Sequence, residues 1–229
     1  MVPLDEICVL IPAYNAELTL GAVLERTRPL HIDMIVVDDG STDGTKRVAM
    51  NFGAHLLGHS SNLGKGAALR TGFQYIFQKG YQLVITLDAD GQHDPSEIPF
   101  LLRILQSVKP DILIASRATE FDRMTFLRRF WNRLGGKAVA RFCHSDITDS
   151  QSGFRLIRTE VLREIRLSTS RFETELELLI KACKKGFSVL SVPIKIPRVD
   201  GTESSHFRPV SDTWKECKLF LRILFRLGG

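Results

Sequence analysis

The 229-residue sequence predicts an α/β fold, a mostly parallel sheet flanked by helices in a single domain, and three observations carry that expectation. Short apolar runs rich in β-branched residues each stop abruptly at polar residues. Segments with helical spacing fill the intervals. Polar side chains able to bind a ligand collect where the runs end, the position at which doubly wound sheets hold their ligands.

The first run, ICVLIPAYN (7–15), reads as a buried parallel strand, and 17–28 behind it has helical spacing. DMIVVDDGST (33–42) repeats the pattern, followed by a helical stretch over 43–52 and another over 64–79. LVITLDADG (83–91) is the third such strand, and DILIAS (111–116) the next apolar run after a helix expected over 94–107. Asp94, Pro95 and Glu97 match the N-cap, first-turn proline and capping-box acid of that helix. Beyond residue 116 the chain is less regular. RFETELELLIKACKKG (171–186) predicts an amphipathic helix ending at Gly186, and FSVLSVPIKIP returns to the sheet. In 211–229, Lys215, Lys218, Arg222 and Arg226 form a basic stripe beside apolar residues, the pattern of a helix lying in a membrane interface.

Tyr14, Asn15, Asp38, Asp39, Asp88 and Asp90 fall at the carboxyl ends of the expected strands. Side chains two apart on an extended segment point the same way, about 6 to 7 Å apart, so Asp88 and Asp90 can address one ligand. Two neighbouring carboxylates call for a cation, and hard oxygen ligands suit Mg²⁺ or Mn²⁺ completed by water or substrate phosphate. A metal-bridged diphosphate is the expected ligand. No GxGxxG follows the first strand, and GHSSNLGKG lacks the spacing and the Ser or Thr of a P-loop, which argues against hydride-transfer and P-loop NTPase chemistry. His93 reads as a loop residue rather than a metal ligand.

Charge is unevenly placed. Residues 1–115 carry 9 Lys/Arg against 13 Asp/Glu, and residues 116–229 carry 22 against 13, so the second half is suited to an anionic partner. Four cysteines far apart, with no CxxC, suggest neither a zinc site nor a disulfide framework, and a reducing setting. Neither a leader peptide nor a membrane span is expected. No RNP-like aromatic pattern accompanies the basic residues, so nucleic acid is not an expected partner.

In order along the chain, IPAYNAELTL, VVDDGSTDGT, LGKGAALRTGF, LDADGQ, DSQSGFR and ETELELLIKACKKG followed by VPI resemble the inverting nucleotide-sugar glycosyltransferases of the GT-A fold. Within them the sequence is most similar to the dolichyl-phosphate or polyprenyl-phosphate sugar synthases. The resemblance implies a nucleotide-sugar-binding half over 1–115, an acceptor-binding half over 116–210, and transfer of a hexose, mannose from GDP-mannose foremost and a UDP-sugar next, to polyprenyl or dolichyl phosphate. It also implies a cytoplasmic protein peripherally associated with the inner face of the membrane. Pro12, Tyr14 and Glu17 would contact the nucleotide, with Asp38 and Asp39 at the base and ribose. Asp88, Asp90 and Gln92 would hold Mg²⁺ or Mn²⁺ and the sugar diphosphate, with Ala89 and Lys65 as further donor contacts. Arg198 would reach the diphosphate and, with Asp90, serve catalysis. Arg117, Arg129, Arg133 and Ser152 would receive the acceptor. The chain departs from the family at Asn15-Ala16-Glu17, where Asn-Glu-Glu is usual, and at His206, where a lysine is usual.

A phosphate monoester has a second pKa near 6, so it is already a largely dianionic nucleophile at neutral pH and needs no general base. Glu175 and Glu177 lie where hydroxyl-glycosylating relatives keep a catalytic acid pair, so two alternatives remain beside the phosphate acceptor. One is a glycan hydroxyl with either glutamate as base; the other is a non-catalytic sugar-nucleotide-binding protein.

Overall fold

The structure, a computed structural model, describes residues 2–117, 147–171 and 173–194. A seven-stranded sheet runs in the order β3-β2-β1-β4-β6-β5-β7. Its strands are β1 (Ile7–Ala13), β2 (Asp33–Asp38), β3 (His55–Gly58), β4 (Leu83–Thr86), β5 (Ile112–Ser116), β6 (Arg155–Arg158) and β7 (Val189–Pro193). All neighbouring pairs are parallel except those of β6, which runs antiparallel between β4 and β5. The mostly parallel sheet is as expected; β3, β6 and a short helix after β6 were not legible beforehand.

Each strand feeds two cores because successive side chains alternate faces. Ile7, Val9 and Ile11 of β1 enter one cluster with Leu83 and Ile85 of β4. Cys8 and Leu10 enter the other, with Val84. The first cluster is covered by α1 (Glu17–Thr27), through Leu20, Val23 and Leu24, and by α4 (Ile98–Val108), through Ile98, Leu101 and Leu105. These spacings of three and four place one apolar stripe against the sheet. The second cluster is covered by α3 (Lys65–Lys79), α5 (Thr159–Glu164) and α6 (Glu173–Lys184). Between β2 and β3 lies α2 (Thr45–Asn51).

Asp94 caps the turn before α4 by accepting from Ser96 N–H at 3.0 Å, with Pro95 next in sequence, as the motif predicts. Glu173 and Glu175 sit in the first turn of α6 and Lys181 and Lys184 in its last, matching the helix macrodipole. Cys8 is free and buried, but Cys183 on α6 is disulfide-bonded. The sequence suggested no disulfide framework, and it gave no signal for this bond either, because spacing says nothing about distance after folding. Among the described residues no helix is long and apolar enough to cross a membrane. The expected arginine-rich helix around Arg129 and Arg133, the loop carrying Arg198 and His206, and the stripe in 211–229 lie outside the described residues.

Candidate active site

The carboxyl ends of β1, β2 and β4 converge on one edge of the sheet. β4 ends at Thr86, whose hydroxyl donates to Gly153 O at 2.8 Å and so ties the strand to the SQSGFR loop. Leu87 and Ala89 are buried, while Asp88 and Asp90 remain half-buried between them. The chain turns at Ala89–Asp90, with Gly91 at φ 74° and the Gln92 N–H donating to Asp90 Oδ1 at 3.0 Å. The shared orientation argued from an extended backbone therefore has a different basis: it is this turn that keeps the two carboxylates neighbours. Burial and the adjacent Asp88 charge push Asp90 up to about 6.

Asp88 is the more constrained of the two. Its Oδ1 lies 2.5 Å from Lys65 Nζ, which also sits 3.1 Å from Glu175 Oε1. Burial works to raise the Asp88 pKa, but the Lys65 ammonium, with His93 and Arg117, more than offsets it and holds the carboxyl below its ordinary value. Burial likewise opposes the Lys65 charge, and Asp88 and Glu175 together reverse that and raise its pKa. Gly153 packs directly against Asp88: a Cβ there would run into the carboxylate. Lys65 reaches this point because α3 begins against the 168–174 segment, with Ala67 N–H donating to Ser170 O at 3.1 Å. Gly66 permits the approach, since a Cβ on it would collide with Thr174.

On the β1–β2 side, Pro12 is half-buried in β1 and Tyr14 is exposed just beyond it. Asp38 Oδ2 accepts from Ser41 N–H at 3.2 Å and lies 3.6 Å from Lys46 Nζ. Asp38 Oδ1 is buried without a partner. Asp39 is engaged internally: it accepts from Leu63 N–H at 2.9 Å and Gly64 N–H at 2.7 Å, and pairs with His59 Nδ1 at 2.7 Å. Glu17 accepts from Gly44 N–H and from Arg47, both at 2.9 Å, bracing the loop after β2. Asn15, at φ 47°, accepts from Thr42 N–H at 2.9 Å across the same junction.

On the far side of Asp88, Arg117 follows β5 and forms a forked pair with Asp149, Nε to Oδ2 at 2.9 Å and Nη2 to Oδ1 at 3.3 Å. Burial disfavours both charges, yet each partner holds the other ionised, raising the Arg117 pKa and lowering that of Asp149. Ser152 is fully buried and donates to Ala115 O at 2.7 Å, so it belongs to the wall behind the site. Arg155 explains that wall: fully buried, it donates to the carbonyls of Ser152, Glu175 and Ser150, each at 2.8 Å, and so joins the loop to α6.

His93 lies in the loop after β4, as expected, but is buried there. Both ring nitrogens lack a partner, the ring stands edge-on to Phe154 with centroids 5.5 Å apart, and burial, then Arg117, bring its pKa down to about 4. The imidazole is neutral. Glu175 is buried, and burial raises its pKa against the pull of Lys65 and Arg155. Glu177 instead accepts from the N–H and hydroxyl groups of both Ser168 and Thr169 and from Lys181 Nζ, the last at 2.6 Å. Burial is overcome by those bonds, and its pKa falls to about 2. The structure thus brings Lys65, Asp88, Asp90, Gln92, Arg117 and Glu175 to one end of the sheet, while Asp149, Arg155 and the caging of Glu177 left no local pattern in the sequence. Arg129, Arg133 and Arg198 lie outside the described residues.

Residues 8–166 match the family model described as glycosyl transferase family 2. Polyprenol monophosphomannose synthase of Mycolicibacterium smegmatis is 32% identical over 84% of this chain and 77% of its own. UDP-N-acetylglucosamine–dolichyl-phosphate N-acetylglucosaminyltransferase of Methanococcus voltae is 30% identical over 82% of this chain and 84% of its own. Among solved structures, glucosyl-3-phosphoglycerate synthase of Mycobacterium tuberculosis in complex with Mg²⁺ and UDP superimposes with a TM-score of 0.70, covering 96% of this chain and 78% of that one at 22% identity. The chain therefore belongs to glycosyl transferase family 2 and has the GT-A fold, with the dolichyl-phosphate sugar synthase-like proteins as its kin.

Proposed function

We propose that this glycosyltransferase moves one hexose, with inversion, from a nucleotide diphosphate sugar to polyprenyl or dolichyl phosphate, with mannose from GDP-mannose as the leading donor. The observation that carries the phosphate acceptor is the state of the two glutamates on α6. Glu177 is caged by Ser168, Thr169 and Lys181, and Glu175 contacts Lys65, so neither carboxylate stands as an open base. A dianionic acceptor needs none. Relatives named for transfer to polyprenol or dolichyl phosphate support the same reaction type.

The chemistry of the donor set fits a divalent ion of the Mg²⁺ or Mn²⁺ kind. Among the described residues no group of three or more His, Cys, Asp or Glu could hold a metal by itself. Two carboxylates completed by water and substrate phosphate is the usual magnesium pattern. Asp88 and Asp90 would hold the ion with Gln92 beside them, and once bound it would offset charge on the leaving diphosphate. The unpartnered Asp38 Oδ1 is an acceptor that a ribose hydroxyl or base N–H would complete. Asp39 and Glu17, engaged within the protein, support the nucleotide loop from behind. Arg117, oriented by Asp149, presents guanidinium charge to the acceptor phosphate. An acceptor oxygen then bonds the anomeric carbon as the bond to the nucleotide diphosphate breaks, and no proton has to move.

One specific observation favours a second reading. Burial raises the Glu175 pKa, the direction a general base toward a glycan hydroxyl requires. Purified protein incubated with Mn²⁺, polyprenyl phosphate and, separately, GDP-mannose, UDP-glucose and UDP-N-acetylglucosamine should yield a glycolipid, foremost with GDP-mannose. Glu175→Gln should keep turnover within about tenfold of wild type at saturating substrates; a loss of about a thousandfold with the fold intact would move the acceptor to a hydroxyl. No glycolipid from any donor would sink the proposal.

A further inference from the structure

Lys65 stands where its charge opposes a metal. Its ammonium lies 2.5 Å from Asp88 Oδ1 and 3.1 Å from Glu175 Oε1, with only 16% of the side chain exposed. A divalent ion on Asp88 Oδ1 would sit about 2.0 to 2.1 Å from that oxygen, which puts it no more than about 4.6 Å from the ammonium that the same oxygen holds at 2.5 Å. Two positive charges so close, in a site with little water, repel strongly. The carboxylate cannot turn far from its present place, because Gly153 packs against both of its oxygens and Lys65 holds one of them.

We propose that Lys65 guards the donor site: its ammonium occupies Asp88 as a resident counter-ion, and a divalent cation gains Asp88 only together with a nucleoside diphosphate that draws the ammonium away. Glu175 is the tether. It retains the ammonium on its far side, so that Lys65 can turn from Asp88 toward the phosphates without leaving the site. Both the metal and the diphosphate then depend on each other, and the enzyme takes them as a pair. This inference rests on the donor-site reading above. Lys65 and Glu175 act here as positioning residues for the metal ligand.

Mn²⁺ binding, followed by the loss of the free-ion electron paramagnetic resonance signal, tests the guard without any turnover. In wild type, UDP or GDP should tighten Mn²⁺ by about tenfold or more. Lys65→Met should bind Mn²⁺ alone about tenfold more tightly than wild type, and added nucleotide, which still supplies phosphate oxygens, should then improve it by a smaller factor than in wild type. Glu175→Gln should act in the opposite direction, since it removes the carboxylate that draws the ammonium off Asp88, weakening Mn²⁺ alone and enlarging the effect of nucleotide. Circular dichroism checks that both variants are folded, and the opposite signs keep the test decisive if one of them is not. Unchanged or weaker Mn²⁺ binding by folded Lys65→Met, or unchanged coupling in Glu175→Gln, overturns the guard while leaving the donor site intact. A wild type that takes up no Mn²⁺ even with UDP or GDP overturns the donor-site reading and the guard with it.

Discussion

At Gly153 the absence of a single methyl group determines where Asp88 can lie. An added Cβ would meet both carboxylate oxygens and Cγ, and Asp88 would have to move away from the position at which Lys65 holds it. Gly153→Ala is therefore expected to cost about 1–3 kcal/mol of stability through overpacking. Its turnover should fall by about 100-fold if Asp88 holds the metal as proposed, since displacing such a ligand by about 1 Å has that effect. Gly21→Ala supplies the contrast. Gly21 lies inside α1, and a Cβ there would meet Phe52 and Val48 at an ordinary 3.6 Å. Helix propensity favours alanine by about 0.8–1.0 kcal/mol, so a melting temperature raised by about 2 to 4 °C with unchanged turnover is expected. Thermal scans and glycolipid assays on the two variants measure both effects. If Gly153→Ala turned over normally, the glycine would be serving the loop and not the aspartate.

Helix α6 is bound to the loop before it through one carboxylate, and that makes the element sensitive to acid. Glu177 has its pKa brought down to about 2 by hydrogen bonds from Ser168, Thr169 and Lys181 that more than offset burial. A depressed carboxyl pKa gives stability that is fully present above the ordinary value of 4.5 and is lost as pH falls through the folded value, so the window runs from about pH 5 to about pH 2. After discounting for solvent around Lys181, the contribution is about 2 kcal/mol. Urea unfolding across that window should show Glu177→Gln less stable than wild type at pH 7 and nearly equal to it at pH 2; a constant gap at every pH would remove the linkage. Gly66→Ala should also loosen this element, by about 1–3 kcal/mol, by forcing α3 away from Thr174. Elements of this kind were unevenly legible. The parallel strands β1, β2, β4 and β5 announced themselves as β-branched runs with polar ends, and α3, α4 and α6 by their spacing. β6 did not, because Arg155 and Arg158 bracket only Leu156 and Ile157, and the fully buried Arg155 is satisfied by three backbone carbonyls that no local pattern reveals. β3, four residues long, is too short to show a period. The same limit applies to the site: the DAD triplet was visible in place, but the Lys65–Glu175 contact joins residues 110 apart, and Asp149 gains its role from a fold that returns it to Arg117.

For the molecule as a whole, charge separates along the chain: 9 Lys/Arg against 13 Asp/Glu in residues 1–115, then 22 against 13 in residues 116–229. The acidic half supplies Asp88 and Asp90, the aspartates proposed to hold the metal, so the basic excess belongs to the part expected to meet the acceptor. A lipid phosphate lies in a surface that is itself negative on the cytoplasmic leaflet, and each Lys or Arg near such a surface contributes about 1 kcal/mol. The basic excess of the second half is suited to an electrostatic contact with such a surface. Screening gives the test its sign. The Debye length shrinks from about 10 Å at 0.1 M salt to about 3 Å at 1 M, and surface attraction should go with it. In sedimentation with vesicles of about 30% phosphatidylglycerol in phosphatidylcholine, the protein should pellet at 0.1 M salt, stay in solution at 1 M, and ignore vesicles of phosphatidylcholine alone. Equal pelleting with neutral vesicles would assign the contact to apolar insertion instead, and no pelleting with either would mean that the basic half serves the acceptor phosphate alone.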